Sequence, residues 1–97
     1  MVKISYIGEY REYLKNLLLK DPDLRDSIDQ CINWFQKNPE DTRLNNHPLT
    51  KSLEGKWAFS ITGDIRIVYE WVGKNTVRFL AIGGHIQVYS LSKSRSN

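Results

Sequence analysis

Cysteine and methionine each occur once in the 97 residues, histidine twice, and no internal repeat is visible. The lone thiol of Cys31 excludes an internal disulfide, and its place among the apolar positions of a helix-like segment predicts a buried, unreactive sulfur. No apolar run nears the ~18 residues that a membrane-spanning helix needs. The opening "MVKISYIGEY" lacks the long apolar segment of a secretory signal, so the expectation is a cytoplasmic protein with no membrane partner. Two scattered histidines without cysteine partners do not make a zinc-type ligand set, and neither metal nor cofactor is expected. Acidic residues are also unevenly spread. From Thr42 onward only Glu54, Asp64 and Glu70 are acidic, which leaves the C-terminal half basic in a chain of net charge +3. That asymmetry fits a polyanionic partner.

What is present describes one globular domain. Hydrophobic residues at 40% and charged residues at 26% are ordinary values for a folded chain, and the length leaves no room for a second core. The domain is expected over residues 1–90, with a flexible tail over 91–97 that has too little apolar content to pack.

The alternation in "VKISYI" predicts a first strand. From Glu9, the positions Tyr10, Tyr13, Leu14, Leu17 and Leu18 fall on one helical stripe. Asp21 then suits an N-cap and Pro22 a first helical position, opening a second helix that buries Leu24, Ile28, Cys31, Ile32 and Phe35 and stops at Asn38-Pro39. A polar loop leads to "WAFSI" and "IRIVYEW", a turn at "VGKN", a strand at "TVRFLAI", a bulge or bend at Gly83-Gly84 and a last short strand at "IQVY". Trp57, Trp71 and Phe79 are assigned to the core. The expected fold is α+β: a small, mostly antiparallel sheet of four to five strands in the order β-α-α-β-β-β(-β), one face covered by an N-terminal two-helix hairpin and the other open. If Ile65, Ile67 and Tyr69 face the helices, alternation turns Arg66 and Ser60 onto the open face.

Those exposed groups suit one reaction. Cleavage of RNA by its own 2'-hydroxyl needs a base for the 2' proton, an acid for the leaving 5'-oxygen and positive charge for the phosphorane-like transition state. Histidine serves either proton-transfer role near neutrality, and the chain offers His47 and His85. Arg66 supplies a planar, permanently charged fork for phosphate oxygens, with Lys51 and Lys56 as electrostatic support.

The residues "NHPLTKSLEGKWAFSITGDIRIVYEW" and "VRFLAIGGHIQVY" resemble the RelE/ParE toxin superfamily of toxin-antitoxin modules, specifically its YafQ-like branch of ribosome-dependent mRNA interferases. The likeness covers roughly residues 44–89 and rests on the combination of "HPL", "GxW", "GDxRIVY" and "GxHxxVY". It implies an endoribonuclease toxin acting on mRNA in the 30S A site, held in check by an acidic antitoxin, with operator DNA bound only through that antitoxin. It also implies roles. His85 stands at the position of the general acid, His47 or Asp64 at that of the base, Arg66 at that of the charge stabiliser and Tyr89 at that of a stacking aromatic. Ser60 stands where some members carry another histidine and is grouped with Lys51 and Lys56 as RNA-binding. Asp64 equally suits an Asx-type turn between Thr62-Gly63 and the next strand. Two other functions fit the same resemblance: a ParE-like gyrase inhibitor, against which the paired histidines argue, and a non-catalytic co-repressor acting with its antitoxin.

Overall fold

The structure is a computed structural model that describes residues 1–50 and 53–84. The expected final strand at "IQVY", the tail, and the candidate residues Lys51, His85 and Tyr89 lie outside the described residues. Strand β1 (Lys3–Tyr6) leads into helices α1 (Gly8–Lys20) and α2 (Leu24–Lys37). A 3-10 turn (Thr42–Leu44) follows, then strands β2 (His47–Pro48), β3 (Trp57–Ser60), β4 (Arg66–Trp71) and β5 (Thr76–Gly83). They form one five-stranded sheet in the order β1-β5-β4-β3-β2, with β1 parallel to β5 and every other pair antiparallel. The α+β expectation holds in class and order, but the fifth strand is β2 at the His47-Pro48 corner, which the sequence expectation left outside the strands, and the expected strand at "IQVY" lies beyond the described residues.

The helix hairpin is closed differently from the sequence expectation. Asp21 is the C-cap of α1, donating its N–H to the Leu17 carbonyl, and the N-cap of α2 is Asp23, whose side chain makes no capping bond. The carbonyls of Asp21 and Pro22 instead accept the first N–H groups of α2, from Leu24 and Arg25. Backbone groups of a tight turn thus do the work expected of a carboxylate. The far end of α2 agrees: Asn38 turns extended and Pro39 has no N–H with which to continue the helix.

Residues opposite one another on paired strands point to the same face, so the register assigns every side chain. Trp57, Tyr69 and Phe79 form one such row, and Phe59, Ile67 and Ile82 the next, both facing the helices. Phe35 of α2 lies at their centre with no exposed surface, its ring stacked on Phe59 at 4.6 Å and edge-on to Tyr69 at 4.9 Å. Ile28 and Cys31 precede it on the same stripe. Burial pushes the Cys31 thiol pKa up, and its Sγ lies 3.8 Å from the Ile61 carbonyl, which fits the expected inert sulfur. Full burial of a side chain the size of Phe35 is worth roughly 1.5–3 kcal/mol in transfer terms.

The other face is not simply open, which corrects the sequence expectation. Ala58, Val68, Leu80 and Ala81 form a second buried cluster there, roofed by Leu49 and Leu53 from the β2–β3 connection. A register irregularity falls between Val68 and Tyr69, opposite Leu80, while the bulge or bend expected at Gly83-Gly84 borders residues outside the described ones. That one extra residue in β5 changes its alternation, so Leu80 and Ala81 both join the cluster. Gly55, at φ 91°, makes the turn that brings Leu53 back over the sheet.

Candidate active site at the hairpin end of the sheet

Away from the helices the sheet presents three rows. At the β3–β4 hairpin end, Ser60 and Arg66 are direct partners, with Gly83 opposite Arg66 on β5. The middle row contains His47, Ala58, Val68 and Ala81. At the far end, Lys56 and Arg78 flank Glu70 at 3.7 and 3.3 Å.

Arg66 and Ser60 therefore stand where alternation placed them, on the face turned from the helices. Gly83 offers no side chain beside Arg66, and both Arg66 and Ser60 remain half-buried. The Arg66 Nε–H is shielded from solvent and has no acceptor among the described residues. A buried, unsatisfied donor costs about 1–3 kcal/mol. An anion brought to this guanidinium would complete its hydrogen bonding, and a phosphate has the geometry to accept from its fork.

His47 is placed by the segment before it. Leu44 is fully buried and Asn45 closes the 3-10 turn in the left-handed conformation, at φ 50°. That turn aims the Asn45 carbonyl back at His47 Nδ1, 2.8 Å away. A carbonyl only accepts, so Nδ1 carries the proton and, in the neutral ring, Nε2 keeps its lone pair for another group. The bland role that the sequence allowed for this histidine, a corner residue bonding backbone, is real, and it is also what prepares Nε2. His47 lies two strands and two residues from Arg66 on a common face, which puts the two Cα atoms about 12 Å apart at ordinary strand spacings.

Asp64 sits exposed in the hairpin loop two residues before Arg66. Its carboxylate is not the group that builds the turn. The Thr62 hydroxyl accepts from the Asp64 and Ile65 N–H groups at 3.4 and 3.1 Å, leaving the Asp64 carboxylate with no partner among the described residues. Lys56 shares this face but stands at its other end, beyond the His47 row from Arg66. Four residues of β3 separate it from Ser60, about 13 Å, and it is paired to Glu70.

Trp71, assigned to the core from sequence, is 37% exposed at the end of β4, while Trp57 is half-buried. Sequence reasoning missed Asn45 and Asn46. Asn46 Oδ1 accepts from the Tyr69 hydroxyl at 2.7 Å and its Nδ2 donates to the Pro39 carbonyl at 3.0 Å, so one side chain ties the β2 edge to the aromatic core. Burial pushes the Tyr69 pKa up to about 12. The αL preference of asparagine and the "NNHP" run were the available signals. Among the described residues, no group of three His, Cys, Asp or Glu side chains is placed to hold a metal ion, and no helix is long and apolar enough to cross a membrane.

This combination of a parallel first strand, a helix hairpin and an antiparallel meander is shared with solved bacterial toxins. YafQ from E. coli superimposes with a TM-score of 0.76 at 20% identity, covering 92% of this chain and 99% of YafQ. A copper-bound mutant toxin from Helicobacter pylori gives 0.75 at 22% identity, over 91% of this chain and 99% of that one. The YoeB/ParE toxin from Agrobacterium tumefaciens gives 0.73 at 19% identity, over 87% and 99%. E. coli YafQ is also among the matches in complex with DinJ, a toxin-antitoxin pair. Neither a family model nor a curated protein matches the sequence. The chain thus has the YafQ and YoeB/ParE toxin fold, which bears out the resemblance at the level of architecture.

Proposed function

We propose that this protein is the toxin of a type II toxin-antitoxin module, a metal-independent, ribosome-dependent endoribonuclease that cleaves mRNA by attack of the substrate 2'-oxygen. The observation that carries this reading is the placement of Arg66 and His47 on one face of the sheet, opposite the Phe35 core. The Arg66 Nε–H finds no acceptor among the described residues, and the His47 tautomer leaves the Nε2 lone pair for another group.

In the proposed reaction His47 Nε2 takes the 2'-hydroxyl proton, the 2'-oxygen bonds to phosphorus, and the bond from phosphorus to the 5'-oxygen breaks. Arg66 holds the non-bridging oxygens as charge accumulates on them. The Asn45 carbonyl steadies the imidazolium that forms, through the Nδ1–H bond. Between the two bases that the sequence left open, this geometry favours His47, with Asp64 a neighbouring negative charge at the hairpin tip. The departing 5'-oxygen needs a proton, and His85, with Tyr89 as a stacking aromatic, remains the proposal for that side of the site.

The proposed regulator is an acidic antitoxin. A groove of about 740 Å³ between the two helices and the β1 side of the sheet is walled by Tyr6, Tyr10, Leu14, Leu18, Ile28 and Phe79. Its rim carries Arg11, Lys15 and Arg25 against the single acid Asp29, which suits an amphipathic helix bearing acidic residues. The groove lies on the helix side, so neutralisation and catalysis use different surfaces.

The test is cleavage of a ribosome-bound message by Arg66→Ala and His47→Ala variants. Both should lose cleavage while keeping antitoxin binding, and the wild-type products should end in a 2',3'-cyclic phosphate and a 5'-hydroxyl. Undiminished cleavage in both variants, or ends of the opposite chemistry, would remove the assignment.

A further inference from the structure

A second cleft, of about 690 Å³, opens where the connection after α2 passes the exposed ends of β3 and β4. Trp57 and Trp71 form its aromatic walls, and Glu40, Asp41, Asn45 and Asn46 contribute to its polar lining. Both indoles belong to the helix-side rows of the sheet, so the cleft does not share a face with Arg66. It is also separate from the groove between the helices, with no residue common to the two linings.

The walls are fixed before any ligand arrives. Asn46 is held by Tyr69 and by the Pro39 carbonyl, and Trp71 packs edge-on to Tyr69 at 6.1 Å. Asp41 is bound through both carboxylate oxygens to Arg43, whose guanidinium lies 3.7 Å from the Trp34 ring centroid just beyond the cleft. Glu40 differs: its carboxylate has no partner among the described residues. The described lining contains no lysine or arginine, although the chain has fourteen. A phosphate or carboxylate ligand would meet no counter-charge there. A cation would meet two indoles, a carboxylate with no partner among the described residues and the Asn45 amide.

We propose that this cleft is a second binding site, which takes the guanidinium of an arginine side chain carried by a basic polypeptide. Its flat cation slides between aromatic walls and donates to Glu40, as Arg43 already lies on Trp34 and donates to Asp41 a few ångströms along the same segment. The protein could then hold a polyanion on one face and a basic chain on the other.

The test titrates 15N-labelled protein with a short arginine-rich peptide and follows the three indole Nε1–H resonances. The Trp57 and Trp71 signals should shift saturably while that of Trp34, already covered by Arg43, stays in place. Glu40→Gln, an exposed change with no fold at stake, should weaken binding by up to about fivefold. Trp71→Ala should weaken it by about tenfold. The same peptide with citrulline in place of arginine should give no shift. Equal shifts with citrulline, no shift with arginine, or displacement of these signals by an oligoribonucleotide alone would overturn the proposal. None of these readings involves cleavage, so the outcome is independent of the nuclease assignment.

Discussion

On the face beneath the helices, alternate residues of β3, β4 and β5 bring Phe59, Tyr69 and Phe79 around the ring of Phe35, and every one of these side chains is almost wholly buried. On the opposite face the intervening residues of the same strands are split into an arginine end, an aliphatic middle and an ion-paired end. The period of two that builds the first face dictates the second. Aromatic packing therefore does more than stabilise: it decides that Arg66 faces outward and fixes its distance from His47. Stability lives on one face and the proposed chemistry on the other, so substitutions should separate the two.

The largest effect is expected from Phe35→Ala, which should cost about 3–5 kcal/mol in denaturant unfolding, a large part of the 5–15 kcal/mol typical of a small domain. Arg66→Ala should do the reverse, leaving the unfolding midpoint near wild type or slightly higher, because it removes a buried donor with no acceptor among the described residues, while cleavage falls by about 10²–10³-fold. Asn46→Ala tests the seam between the faces. It strips the Tyr69 hydroxyl of its acceptor, should cost about 1–3 kcal/mol, and should loosen the β2 edge that carries His47. Lys56→Ala should change stability by under about 1 kcal/mol and leave cleavage nearly intact, since that lysine is paired to Glu70 at the far end.

The smallest effect concerns pH. Hydrogen bonds from Arg43 hold the Asp41 carboxyl at about 2 in the folded chain. A depressed folded pKa means that the pair contributes above the unfolded value of about 3.9 and is lost as pH falls from there through about 2. An NMR titration of the Asp41 carboxyl should show that low midpoint, and Arg43→Ala should return it towards the ordinary range.

What the sequence could reveal follows the same division. Periodicity located both helices, β3, β4 and β5 and the outward turn of Arg66, because the aromatic face leaves a regular imprint on spacing. It did not reveal the roof of Leu49 and Leu53, since two leucines in a polar loop have no period. The partnership of Lys56 with Glu70 was equally hidden, because it depends on register across strands fourteen residues apart in sequence. The αL turn at Asn45 that selects the His47 tautomer is a backbone event, visible in sequence only as an asparagine pair before a histidine. Asp23 rather than Asp21 caps α2 for a related reason: three turn residues with similar preferences compete, and the packing of the hairpin chooses among them.

The most direct test of the central claim uses a short RNA whose 2'-hydroxyl at the scissile position is replaced by 2'-O-methyl, so that it binds without reacting. In a 15N-edited titration the Arg66 Nε–H resonance should move sharply as it gains a phosphate acceptor, and His47 Nε2 should respond together with it. Shifts confined to Lys56, Arg78 or the groove between the helices, with Arg66 and His47 unmoved, would contradict the account.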